Sequence, residues 1–116
     1  MSIDMIESKP VIRYFNINQS NQSEFHDSID AMLNILGGVV IFERKTRDVQ
    51  AYSYDFKNIG TNDPQTGTAT VFIHNCKTCY NNNHPVSVHL NGFCNNSFYK
   101  KLLDSLVELR EFYRKQ

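Results

Sequence analysis

The sequence predicts a single α+β domain over residues 1–116, an antiparallel-rich sheet with two main helices on one side. Three observations carry this. Apolar residues recur at helical spacing in two separate stretches, 25–36 and 98–113. Short runs rich in β-branched and aromatic residues fill the middle of the chain. The segments follow one another as strand, helix, several strands, helix.

The first strand is predicted over 9–15 (KPVIRYF). The polar stretch 16–22 follows. A helix over 21–36 is then expected from Phe25, Ile29, Met32, Leu33 and Leu36. Ser20 or Ser23 can cap it, and Glu24 and Asp27 suit its positive end. Gly37 and Gly38 end it, because glycine takes the left-handed conformation of a helix stop. Residues 39–42 (VVIF) read as a buried, central strand. A polar turn at 44–48 (RKTRD) leads to a hairpin strand over 49–56, then to a loop over 58–67. A third strand covers 68–74, and Val86, Val88 and Leu90 alternate along a fourth. Asn95, Asn96 or Ser97 can cap the last helix. Its apolar stripe runs through Phe98, Leu102, Leu103, Leu106, Leu109, Phe112 and Tyr113.

Twelve basic residues balance twelve acidic ones, for a formal net charge of zero. This argues against a free-standing, non-specific nucleic-acid binder, which normally carries a net basic face. A subunit supplying one edge of a shared groove remains compatible with it. With 41% hydrophobic and 12% aromatic residues the chain is too apolar to be disordered. No run approaches the ~18 apolar residues of a membrane span, and the N-terminus lacks the pattern of a signal peptide.

Three cysteines cannot form a complete intrachain disulfide framework. Cys76, Cys79 and Cys94 cluster with His74, His84 and His89. In a reducing compartment this suggests a structural zinc site before a disulfide, since zinc takes four nitrogen or sulfur ligands. The alternative is three reduced thiols beside loop histidines. The expected location is cytosolic or nuclear, or the outside of an organelle.

For phosphate contact, Arg44, Lys45 and Arg47 form the densest basic patch. Lys100, Lys101, Arg110, Arg114 and Lys115 interleave with Asp104, Glu108 and Glu111, as on a solvated helix face. Tyr52 and Tyr54 share one strand face. They could stack on bases, pack across strands or form a subunit interface.

Ala31, Asn34, Gly37, Gly38 and the strand 39–42 resemble the Ala-x-x-Asn-x-x-Gly-Gly-strand signature of the AlbA-like modules of the Schlafen family. Glu7-Ser8 followed by Val11 resembles the start of that family's Glu-Ser-x-x-Val-Glu-Phe-Lys strand. His74-x-Cys76 and Phe93-Cys94-Asn95 resemble its His-x-Cys and Phe-Cys-Cys zinc elements. The resemblance covers about residues 7–113 and implies one Schlafen-like lobe. The ligands it implies are His74, Cys76 and Cys94. Asn95 replaces the family's last cysteine, and Cys79 could supply the fourth thiolate.

Schlafen nucleases are metal-dependent endoribonucleases in which three acidic residues gather divalent cations. Here only Glu7 matches. Ile12 stands at the second acid and Tyr14 at the lysine, while the third acid aligns near Lys45-Thr46. Asp48 is displaced from it, and Glu43 comes early and could point to the other face.

The resemblance therefore implies a non-catalytic subunit with a vestigial Glu7, partnered by other Schlafen-like chains in a heteromeric RNA-processing endoribonuclease. Nematode complexes of this kind process the 5′ ends of piRNA precursors, pairing two larger Schlafen-domain subunits with a small one. Mg or Mn would belong to the catalytic partner. The implied location is cytoplasmic, at an organelle surface such as the mitochondrial outer membrane. A membrane anchor found at the end of such small chains is not expected here. The alternatives are a homodimeric metal-dependent nuclease using Glu7 with Glu43 or Asp48, and a non-enzymatic interaction module.

Overall fold

The computed structural model describes residues 10–57, 66–74, 85–93 and 96–114. The strands are β1 (Val11–Phe15), β2 (Gly38–Lys45), β3 (Val49–Lys57), β4 (Thr66–His74) and β5 (Val86–Asn91). The helices are α1 (Gln22–Ile35), entered through one 3₁₀ turn (Gln19–Asn21), and α2 (Asn96–Arg114). The strands form one sheet of order β1-β5-β4-β3-β2, antiparallel at every step. The α+β architecture of the sequence reading is thus the observed one.

Alternation along the strands explains why both helices lie on one face. Tyr52, Tyr54 and Phe56 of β3, Ala69, Val71 and Ile73 of β4, and Val86, Val88 and Leu90 of β5 are all buried. They share one core with Phe25, Ile29 and Leu33 of α1 and Leu102, Leu106 and Tyr113 of α2. The helices meet through Tyr113, whose ring stands edge-on to Phe25 at 5.4 Å. Its hydroxyl lies 3.2 Å from Ser28 Oγ. The α2 stripe is narrower than its sequence suggests, because Phe112 remains 54% exposed.

Neither Ser20 nor Ser23 caps α1. Asn21 is the N-cap residue, and its side chain makes no capping hydrogen bond. The 3₁₀ turn runs straight into the helix, and the Asn21 N–H is satisfied by the Asn18 carbonyl at 2.8 Å.

The two glycines after α1 do different work. Gly37 has φ +102°, a conformation that side chains with a Cβ adopt at a cost. Its N–H donates to the Asn34 carbonyl at 3.0 Å and closes the helix end. Gly38 matters for space: a Cβ there would stand 2.7 Å from the Phe56 ring and 3.0 Å from the Leu33 carbonyl oxygen. The missing side chain lets the helix end sit directly on β3.

The expectation of a buried, central strand at 39–42 is corrected. Among the described residues β2 is an edge strand that pairs only with β3. Val39, Val40, Ile41 and Phe42 are 64%, 41%, 62% and 48% exposed. Among the described residues neither a helix nor another strand lies over them, so a sequence pattern that elsewhere marks the core lies on the surface.

Candidate functional site

The β2–β3 hairpin holds the residues expected to contact phosphate. Its turn is closed by Thr46, whose N–H and hydroxyl both donate to the Val49 carbonyl, at 2.8 and 2.9 Å. β2 continues to Lys45, so Arg44 and Lys45 are strand residues and alternate in direction. Arg44 lies opposite Ala51, toward the sheet face without helices. Lys45 lines a hollow on the helix side with Gln22, His26 and Tyr52. Arg47 sits in the exposed turn. The three cations thus surround the hairpin tip rather than sharing a face.

A register shift between Val40 and Phe42 bends β2 and turns its second half. Glu43 therefore falls opposite Tyr52, on the helix side, while Asp48 lies in the exposed turn. Glu7 lies outside the described residues. Among the described residues, no three His, Cys, Asp or Glu side chains gather closely enough to hold a metal ion.

Of the clustered cysteines and histidines, His74 and His89 are described; Cys76, Cys79 and Cys94 lie outside the described residues, as does His84. His74 ends β4, and its N–H donates to the Pro85 carbonyl at 2.8 Å. That bond closes the two ends of the 75–84 connection, which contains Cys76 and Cys79, against each other. Phe72 stands between two histidines, parallel to His74 at 6.4 Å and edge-on to His89 at 4.9 Å. Burial, and then the neighbouring His74, lower the pKa of His89. The position of Phe93 bears on the fourth ligand. Its ring packs on Gly67, at the opposite end of β4 from His74. Seven strand residues at ~3.3 Å each separate those ends by about 23 Å. A ligand set joining His74 to a residue adjoining Phe93 would have to span the strand.

Tyr52 and Tyr54 are core residues, 2% and 0% exposed, so base stacking is excluded for both. Tyr52 packs on the His26 ring at 4.3 Å.

On α2, Lys100 pairs with Asp104 at 3.0 Å and Arg114 with Glu111 at 3.3 Å, as a solvated face would. Arg110 and Arg114 also face a cavity shared with Arg13 of β1. Sequence reasoning missed Arg13. The available signal was its position: it alternates with Val11 and Phe15 and so falls on the inward side of β1.

Among the described residues no helix is long and apolar enough to cross a membrane. Comparison with protein families, curated proteins and solved structures finds no match to this chain.

Proposed function

We propose that this chain is a non-catalytic, Schlafen-like subunit of a heteromeric RNA-processing endoribonuclease, of the kind that processes piRNA precursor 5′ ends. It seats on a catalytic partner through β2 and completes the RNA groove with Arg44, Lys45 and Arg47. One observation carries the reading: an apolar edge, Val39 to Phe42, unpaired among the described residues, runs directly into a basic hairpin tip. Folded chains normally blunt or cover such edges, because the free N–H and C=O groups and apolar side chains invite another strand. Here a partner strand would extend the sheet and bring the cations to the seam.

The edge favours a different chain over a second copy. Antiparallel self-pairing centred on Ile41 sets Val40 against Phe42, but also Val39 against Glu43 and Gly38 against Arg44. Only the apolar half is then matched. A partner carrying an apolar and then an acidic stretch would match the whole strand.

The test is reconstitution with Schlafen-domain chains from the same source, reading assembly by light scattering and cleavage of a labelled RNA. The isolated chain should not cut RNA in Mg²⁺ or Mn²⁺. The complex should cut, Glu7→Ala should leave its activity largely intact, and Ile41→Lys with Phe42→Lys should prevent assembly. Cleavage by the isolated chain, or loss of cleavage in a fully assembled Glu7→Ala complex, would assign chemistry to this lobe. A homodimer abolished by the same lysines would establish the self-paired alternative.

A further inference from the structure

At the other edge of the sheet, β1, the 16–21 segment and the last turns of α2 border an open cavity of about 770 Å³. Arg13, Arg110 and Arg114 all line it, and among the described residues no aspartate or glutamate does. The chain as a whole is neutral, so this concentration of charge is a product of the fold. Arg114 shares its charge with exposed Glu111, at 3.3 Å. Among the described residues Arg13 reaches only its neighbour's carbonyl, Ile12 O, at a marginal 3.5 Å. Among the described residues Arg110 has neither a hydrogen bond nor an ion pair. Three guanidinium groups on one concave surface repel one another unless an anion joins them, and their planar fork matches phosphate oxygens. The end of α2 contributes about half a negative charge there, which the charges of Arg13 and Arg110 exceed.

The cavity is far larger than one phosphate needs and falls within the ~300–1,000 Å³ of small-molecule sites. Asn16, Asn18 and Asn21 also line it, beside apolar and aromatic side chains such as Ile17, Val107 and Tyr113. The asparagine amides carry the donor–acceptor pair that complements a base edge. We infer that this cavity binds a phosphorylated nucleoside, with Arg13, Arg110 and Arg114 on the phosphate and the asparagines toward the base. The ligand is either a free nucleotide or the terminal nucleotide of an RNA strand. The site lies four strand spacings from β2, about 19 Å, and does not depend on the function proposed above.

Calorimetric titrations of the intact chain with inorganic phosphate, adenosine and uridine 5′-triphosphates, and a hexauridylate with or without a 5′-phosphate test this. Binding of the triphosphates identifies a free nucleotide as the source. Binding of only the 5′-phosphorylated hexamer identifies an RNA end. Arg13→Gln and Arg110→Gln should each weaken binding about tenfold and lower its salt dependence, while Lys57→Gln, at the exposed end of β3, changes nothing. Amide chemical-shift mapping on the unaltered chain gives a second readout, with shifts expected in residues 12–18 and 107–114. Absence of binding by every probe overturns the inference. So do shifts confined to the β2–β3 hairpin, phosphate alone binding as well as a nucleotide, or a folded Arg13→Gln/Arg110→Gln protein that binds as the parent does.

Discussion

Tyr54 Oη donates a 2.6 Å hydrogen bond to Asp30 Oδ1, tying the middle of β3 to α1. The other oxygen, Oδ2, accepts from Asn34 Nδ2 at 3.2 Å. The Tyr54 side chain is fully buried, whereas Asp30 is half-buried at the margin of the helix. A phenol crossing the core thus delivers its one polar atom to a carboxylate that water still reaches. Tyr54→Phe should cost about 1–2 kcal/mol in denaturant unfolding, as expected for a hydrogen bond to a charged acceptor. Asp30→Asn, which keeps an acceptor, should cost less. Equal losses would mean that the charge, rather than the contact, holds the helix.

The same pair predicts an alkaline response. Burial first, and then the hydrogen bond to Asp30, raise the Tyr54 pKa well above its ordinary 10.0. The folded chain keeps a proton that the unfolded chain releases near pH 10, so the stabilisation is complete below that pH. It is lost as pH rises toward the folded value. Tyr52 and Tyr99 are shifted the same way, each chiefly by burial. Thermal melts above about pH 10 should show falling stability, and the fall should be shallower in Tyr54→Phe. A parallel fall in both proteins would remove Tyr54 from the explanation.

Gly37 and Gly38 should respond to different second-site changes. Gly37→Ala should cost about 1 kcal/mol through its positive φ alone, since nothing lies within 4 Å of the new Cβ. Gly38→Ala should cost more, because its Cβ meets the Phe56 ring and a backbone oxygen. Trimming the ring with Phe56→Leu should recover part of the Gly38→Ala loss and none of the Gly37→Ala loss. Urea midpoints of the double variants decide this, and rescue of both would place the two glycines under one constraint.

The edge position of β2 predicts a contrast between two phenylalanines. Phe42→Ala, on the exposed edge, should change stability by no more than about 0.5 kcal/mol. Phe56→Ala, in the core one strand away, should cost about 3–5 kcal/mol. A large loss at Phe42 would mean that something covers this strand.

Zinc, if the chain holds it, should depend on the β4–β5 connection. Elemental analysis of the purified protein should then find about one zinc per chain. Cys76→Ser or Cys79→Ser should release it, and Cys94→Ser should retain it, because Phe93 packs at the far end of β4 from His74. Loss of the metal in Cys94→Ser would show that the two ends of the strand serve one site.

The helical stripes, the alternating strands and the stop at Gly37 were legible in the chain because each rests on contacts a few residues apart. Periodicity states which residues share a face, and a glycine pair states where a helix can turn. The same local signals misjudged the start of α1, where a 3₁₀ turn does the work assigned to a serine cap. Of the candidate sites, the basic residues of the hairpin were visible as a cluster, but not that Arg44 and Lys45 leave the strand on opposite faces.

Strand order, by contrast, belonged to the tertiary structure. The run Val39–Phe42 reads identically whether the chain's own elements cover it or another molecule does. Only the pairing of β1 with β5 leaves β2 at an edge. That pairing also aligns Arg13 with Arg110 and Arg114, about 100 residues away along the chain. Local sequence determined the elements and their inward faces. Non-local packing decided which apolar surface remained uncovered and which charges met, because a residue pattern fixes the direction of a side chain but not the identity of its neighbour.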